Sequence, residues 1–346
     1  MSQRQNLKFY PLRNPKSRKA TPESTKRTRG FLLAMAILVG MSSLPFFNEL
    51  ITEENGSLSK WLLPPGIQES LLDENSKILG YSKFRVFLYY LLIELYIMVA
   101  SIGWFSVAKD EAYRYALLLC TASAGYHIFL ILSAKRLTWL NDPSWKLWWT
   151  LGIGIVLFGL YYWGEHTKRK KLLAVRTTLG SSPEKIISPK VVLSWLAIAF
   201  VSTFPYFHDI VTERFVGVKD WVPILGIEDF LTLGERDVWG FVSYRVLLLT
   251  LFVQMCAQIL WAGWWMDAKY SLYKPFLLVP VGLSMYQITM IVMVKTDAYL
   301  NKPDFKLLLV LVFGIILGIL YYFKNKALPL NEQESITSVV AQNNNR

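Results

Sequence analysis

The sequence predicts an all-α integral membrane protein of eight transmembrane helices, arranged as a parallel tandem repeat of two four-helix units (4+4). Three observations carry this prediction. The chain contains long apolar blocks, its basic residues gather at the ends of those blocks, and one constant internal offset matches its first half to its second.

The apolar blocks come first. Of 346 residues, 53% are hydrophobic and 18% charged, where a soluble domain carries about 25% charged residues. Mean hydropathy is +0.32. A helix needs about 20 mostly apolar residues to cross roughly 30 Å of hydrocarbon. Eight segments approach that length: 30–47, 84–107, 115–134, 147–163, 191–207, 244–266, 275–294 and 306–323. The shorter ones have aromatic flanks, such as Phe46, Phe47, Tyr161, Tyr162 and Trp163, that extend them to the interface. The first block is expected to be retained as a helix, because its basic flank is long and no A-x-A cleavage site follows.

The charges set the expected orientation. The formal net charge is +12. Nine Lys and Arg crowd the first 29 residues beside Glu23, and Lys168-Arg169-Lys170-Lys171 follows the fourth block. The segments after the first and fifth blocks are acidic instead, with Glu49, Glu53, Glu54, Glu69, Asp73 and Glu74 in one and Asp209, Glu213, Asp220, Glu228, Asp229, Glu235 and Asp237 in the other. The positive-inside rule then puts both termini and the linker in the cytoplasm of a multi-pass cell-membrane protein. The basic tail points to anionic lipid headgroups at the cytoplasmic face rather than to nucleic acid.

The third observation is the repeat. Positions 160 apart match across spans and loops alike. Pro45 and Phe47 pair with Pro205 and Phe207, Arg85-Val86 with Arg245-Val246, Gly103-Trp104 with Gly263-Trp264, Lys146-Leu147 with Lys306-Leu307, and Tyr161-Tyr162 with Tyr321-Tyr322. Four spans per unit is an even number, so both units run the same way through the membrane and a pseudo-two-fold axis should lie along its normal. The chain thus divides into a basic cytoplasmic tail (1–29), a first membrane repeat (30–163), a basic cytoplasmic linker (164–190), a second membrane repeat (191–323) and a polar cytoplasmic tail (324–346). In each unit the long first outer loop holds a Trp, Trp61 or Trp221, and an amphipathic run, 66–72 or 226–231, that reads as a short helix on the outer surface.

Candidate sites follow from what is costly to bury. Glu94 lies about 15 Å below the outer end of the second span, where an ionised carboxylate costs roughly 2.5–3.5 kcal/mol. His127 sits about 10 Å deep in the third span, within side-chain reach if the helix faces meet. Their partners at the constant offset are Gln254 and Gln287, and Gln258 extends the polar stripe. One half therefore carries an ionisable pair where the other carries amides. Two readings stand side by side: a proton or ion site, and a protonated Glu94 with a neutral His127 acting only as interhelical hydrogen-bonding groups worth about 1 kcal/mol each. At the outer interface the carboxylates Glu49, Glu53, Asp209 and Glu213 follow the first span of each unit and Arg85 and Arg245 open the second, so these groups, Glu53 with Arg85 and Glu213 with Arg245 among them, are candidate ion pairs that fix the hairpins, with selection of substrate charge at a vestibule as the other reading.

The chemistry that is missing narrows the function. Cys120 and Cys256 both sit inside apolar blocks, the three histidines are scattered, and no Walker loop, G-x-S-x-G or H-E-x-x-H run occurs, so no catalytic or metal-binding residue is assigned. Cys120 and Ser123 share a face with His127, but a thiol in apolar surroundings is inert. No cofactor is assigned; a pigment or quinone among the aromatics, with Glu94, His127, Gln254 and Gln287 as ligands, is a lesser reading. The leading expectation is a polytopic protein that passes a small solute or ion, with proton coupling as one version, through a cleft between two four-helix units. The alternative is a non-catalytic scaffold or accessory subunit whose partners are other membrane proteins.

Overall fold

The computed structural model describes residues 33–52, 83–133 (apart from 110), 140, 142–176, 189–211, 232–233, 237–238, 244–268, 271–293 (apart from 272), 302–320 and 323. Within them the chain is helical: α1 (Leu33–Ser42), α2 (Leu44–Ile51), α3 (Phe84–Val107), α4 (Arg114–Leu132), α5 (Pro143–Arg176), α6 (Pro189–Val211), α7 (Tyr244–Asp267), α8 (Lys274–Val292) and α9 (Pro303–Leu320). One two-residue antiparallel pair, β1 (Thr232–Leu233) and β2 (Asp237–Val238), interrupts this pattern between α6 and α7. Seven of the helices are long and apolar enough to cross a membrane, which is compatible with a polytopic membrane protein. Helices suit such a solvent because every backbone N–H and C=O is satisfied inside the segment.

The first span departs from the expected straight helix over 30–47. It is a pair, α1 and α2, bent by 67°. Pro45 removes a backbone donor at the start of α2, and the Ser43 hydroxyl donates to the Gly40 carbonyl at 2.6 Å. The matching Pro205 lies inside the unbroken α6. There the place of Gly40 is taken by Phe200, whose ring packs on Phe204 and Phe207, whereas Gly40 has nothing within 4 Å of its Cβ direction. The fourth span also differs. α5 continues thirteen residues past the expected end at 163, to Arg176, because Glu165, Lys168 and their neighbours favour helix and no Gly or Pro follows Gly164 until 180. The amphipathic runs at 66–72 and 226–231, Trp61, Trp221 and both terminal tails lie outside the described residues.

The turns repeat bond by bond at the offset of 160. Ala108 N–H to Trp104 O and Ala268 N–H to Trp264 O are both 3.0 Å, and Ala116 to Tyr113 and Phe276 to Tyr273 are both 2.9 Å. Arg114 to Glu111 and Lys274 to Ser271 are both 3.1 Å.

Packing is centred on α3 against α7, and it mixes the two halves of the chain. α4 packs on α3 and α5, but also on α6 of the second half, and α6 lies against α5. In the other direction, Phe46 of α2 is buried with Val279 and Leu283 of α8 and Val310 of α9, while Val39 and Met35 of α1 face Gly314 and Gly318 of α9. The first helix of each half thus covers the third and fourth helices of the other. α5 and α9 turn Trp148, Ile155, Trp163, Ile315 and Leu320 outward, as lipid-facing surfaces do.

Candidate functional site

α3 and α4 bring Glu94 and His127 together. Nδ1 of His127 lies 3.0 Å from Glu94 Oε1, with only 8% of His127 and 6% of Glu94 exposed. Tyr206 of α6 sets its ring at right angles to the imidazole at 5.7 Å and donates to Thr150 Oγ1 of α5 at 2.6 Å, so α6 roofs the pair. Glu94 Oε2 and His127 Nε2 have no hydrogen-bond partner among the described residues.

One helical turn toward the end where α6 finishes, Asp209 gathers three cationic or basic groups. Lys146 Nζ donates to Oδ2 at 2.7 Å, His208 Nε2 lies 3.1 Å from Oδ1, and Arg245 pairs with the same oxygen. Of the two carboxylates that the sequence offers to Arg245, Asp209 is its partner; Glu213 lies outside the described residues, as does Glu53. Arg85 is held by Thr52, whose Oγ1 accepts from its Nε at 2.9 Å, and by the Asn48 amide, which donates to the Arg85 carbonyl at 3.3 Å.

The equivalent place in the other half is open. A cavity of about 360 Å³ lies between α2, α3, α7, α8 and α9, with Asn48, Glu49, Arg85, Tyr89, Gln254, Gln287 and Lys306 among its walls. Position by position, at the offset of 160, Gln254 stands for Glu94, Gln287 for His127, Asn48 for His208, Glu49 for Asp209, Lys306 for Lys146 and Arg85 for Arg245. Charged contacts fill the first site, and a space opens in the second. There Lys306 Nζ reaches Glu49 only at 3.4 Å, and 31% of the Glu49 side chain is exposed. The carbonyl oxygens of Asn48, Gln254 and Gln287 are buried with no hydrogen-bond partner among the described residues, and the Tyr89 hydroxyl stands beside Gln254 and Thr250. Gln258 lies outside this lining, with its own carbonyl oxygen buried and unpartnered in the same sense. The four residues expected to share one ligand therefore divide, two in a closed pair and two on the cavity wall.

Lys146, Lys306, Asn48 and Tyr89 were missed as site residues. The signal for the lysines was present in the Lys-Leu match at 146 and 306, opposite acids at 209 and 49.

At the far ends of α3 and α7 the two halves touch reciprocally. A Cβ on Gly103 would overlap the Trp264 ring, and one on Gly263 would overlap the Trp104 ring. Trp104 Nε1 donates to Asp267 Oδ2 at 2.6 Å, and the Tyr113 hydroxyl donates to the same oxygen. Burial, and then the adjoining Asp267 carboxylate, push the Tyr113 pKa well above the ordinary value of 10.0. Between this aromatic layer and the cavity, Ile97, Ala257, Leu260 and Trp261 are all buried. Among the described residues no group of three or more His, Cys, Asp or Glu could hold a metal ion. No protein family, curated protein or solved structure matches the chain.

Proposed function

We propose that this chain is a polytopic membrane protein that binds a small solute in the cavity between its halves, as the outward-facing step of passing it across the membrane. The halves are a parallel tandem repeat around a pseudo-two-fold axis along the membrane normal, with their first helices exchanged. The turn hydrogen bonds repeated at an offset of 160, the reciprocal Gly103–Trp264 and Gly263–Trp104 contacts, and the crossed pairs Lys146–Asp209 and Lys306–Glu49 support this symmetry. The positive-inside rule puts the cavity at the outer face and the termini in the cytoplasm.

One observation carries the functional reading. The site twinned with a fully packed ionic cluster is a cavity whose walls hold buried amide oxygens that the protein leaves without donors among the described residues. A buried polar group without a partner costs about 1–3 kcal/mol, and three such amide oxygens line this one cavity, where a bound solute can offset the cost. The tight α3–α7 contact below closes the far side, giving access from one face at a time. Uptake by proteoliposomes of a radiolabelled solute panel tests the reading. Transport that is lost in Gln254→Trp, which fills the cavity, supports it; no uptake of any solute, with Gln254→Trp indistinguishable from wild type, refutes it.

A further inference from the structure

On the far side of the protein from the cavity, the tie between α3 and α7 is one-sided. The two halves build the same frame there. The Ala108 and Ala268 amides both donate at 3.0 Å to the Trp104 and Trp264 carbonyls, and each tryptophan ring lies over the glycine of the other half. The ring centroids of Trp104 and Tyr113 are 5.7 Å apart, and those of Trp264 and Tyr273 are 6.1 Å apart. One position breaks the match. Asp267 ends α7, whereas its counterpart at the offset of 160, the last residue of α3, is Val107. Asp267 Oδ2 accepts from Trp104 Nε1 at 2.6 Å and from the Tyr113 hydroxyl. The Trp264 indole N–H, which meets position 107 by the same relation, is buried with no hydrogen-bond partner among the described residues.

Helical electrostatics alone disfavours an acid at that position. A carboxylate at a helix C-terminus meets the negative end of the macrodipole, and valine in the same place avoids it. What the carboxylate gains is two charge-assisted donors, the stronger class of hydrogen bond. Both donors, Trp104 near the end of α3 and Tyr113 just before α4, belong to the first half, so the bonds tie one half to the other and neither half to itself. Resting on the solute reading above, we propose that Asp267 is the latch of an inner gate: its bonds to Trp104 and Tyr113 hold α3 against α7 while the cavity is open, and their release lets the two helices part on the far side.

The chemistry of the layer suits a contact that opens and recloses. The Gly103–Trp264 and Gly263–Trp104 contacts are apolar and separate without stranding a buried charge. Asp267 is half-buried, so water replaces the two donors as soon as the helices part, and the closed and open arrangements stay close in free energy. Toward the cavity, Trp261 of α7 is wholly buried with its ring centroid 5.0 Å from that of Tyr96 of α3, so parting the two helices unplugs the column between the aromatic layer and the cavity. With Val107 opposite, the latch is single, and one side chain sets the balance. A carboxylate at both positions would tie the layer twice and bias it to the closed arrangement.

The test reads gate opening directly, with the full chain in proteoliposomes and the buried Cys120 and Cys256 both replaced by alanine. Ala100→Cys reports the inner gate, because Ala100 is fully buried and lies one helical turn from Gly103 toward the cavity on the same face of α3. Thr250→Cys, on the cavity wall, reports the outer opening. A membrane-impermeant thiol reagent is applied to each face separately. Adding Asp267→Ala should make the thiol at 100 react about tenfold faster from the face opposite the cavity and should slow the thiol at 250. Tyr113→Phe, which removes one donor, should act in the same direction by about threefold, and it keeps the test open should Asp267→Ala fail to fold. Val107→Asp gives Trp264 an acceptor and should slow the thiol at 100 below the wild-type rate. A purely structural tie would raise labelling at both thiols together. That result, unchanged rates at 100 in Asp267→Ala and Tyr113→Phe, or a folded Val107→Asp that labels as fast as wild type would each overturn the latch. Position 250 separates that failure from failure of the solute reading. If the thiol there reacts in the otherwise wild-type chain, the cavity stands while the latch falls; if it never reacts, the cavity reading is removed.

Discussion

Lys146 belongs to the first half of the chain and its partner Asp209 to the second, whereas the corresponding Lys306 belongs to the second half and its partner Glu49 to the first. The relation is reciprocal, because Lys146 at the start of α5 reaches the end of α6 and Lys306 at the start of α9 reaches the end of α2. The same cross-packing recurs where Ser123 Oγ donates to the Ser202 carbonyl at 3.1 Å and Trp195 Nε1 to the Ala112 carbonyl at 3.1 Å. These cross-contacts interlock the halves, so neither would keep its core if the other were removed.

The two lysines should differ in what they contribute. Lys146→Met strands a carboxylate that is 3% exposed, and removing one partner of a buried pair costs roughly 3–5 kcal/mol. Arg245 and His208 remain beside Asp209, so the loss should fall at the low end of that range. Lys306→Met leaves Glu49 partly hydrated and should cost about 1 kcal/mol or less. Thermal unfolding of the purified variants in one detergent measures both, and equal losses would show that the two sites are not distinguished by burial.

The contact between α3 and α7 predicts a specific coupling. Gly103→Ala places a methyl group into the Trp264 ring and should destabilise by about 1–3 kcal/mol, as overpacking does. Trp264→Leu should relieve Gly103→Ala and leave Gly263→Ala unrelieved, because the latter meets Trp104. A double-mutant cycle with coupling of about 1 kcal/mol or more in the first pair and none in the second checks the reciprocity. Coupling in both would mean that the two tryptophans repack as a unit.

Much of this architecture was legible in the sequence, for physical reasons. Hydrocarbon demands long apolar helices, so residues 84–107 read directly as α3. Helical rise gave the depths of Glu94 and His127, but not which face of each helix meets the other. The break at Ser43 was hidden because the same proline stands in the unbroken α6; Gly40, where α6 has Phe200, is one of several positions at which the two segments differ. The packing of α6 on α4 and α5, and of α2 on α8 and α9, was hidden for another reason. A constant offset says which helices are equivalent and is silent on which half each one covers. The lining of the cavity escaped notice because Glu49 and Arg85 read as interfacial charges, and Lys306 only as the counterpart of Lys146, when their neighbours across the fold are unknown.

A pH dependence follows from Tyr113. Its pKa is raised by burial and by Asp267, so the folded state holds the phenolic proton more tightly than the unfolded state does. That contribution is complete below the ordinary value of 10.0 and is lost as the pH climbs above it. Wild type should lose stability on the alkaline side, and Tyr113→Phe should show a flatter alkaline limb. Near neutrality Tyr113→Phe should be less stable by about 1–2 kcal/mol, the scale of a hydrogen bond to a charged acceptor. Urea unfolding across pH 7 to 11 follows the two curves, which should converge at high pH.

Glu94 and His127 supply the last prediction. They face each other at 3.0 Å in a closed pair away from the cavity wall, while their counterparts Gln254 and Gln287 occupy the cavity wall as amides. Glu94→Leu leaves His127 Nδ1 buried without its hydrogen-bond partner, and the desolvation cost of about 1–3 kcal/mol should appear in full. Glu94→Gln keeps a polar contact to the imidazole and should lose less. In Glu94→Gln/His127→Gln two carboxamides can pair, one donating and one accepting, so the double variant should be more stable than the sum of the single losses by about 1 kcal/mol. Solute uptake separates packing from proton coupling in the same proteins. If the pair only holds α3, α4 and α6 together, Glu94→Gln transports like wild type from pH 5 to 9 once corrected for the folded fraction. Abolished pH dependence in folded Glu94→Gln would assign the pair to proton movement instead, and would require the path between the closed pair and the cavity to open during the cycle.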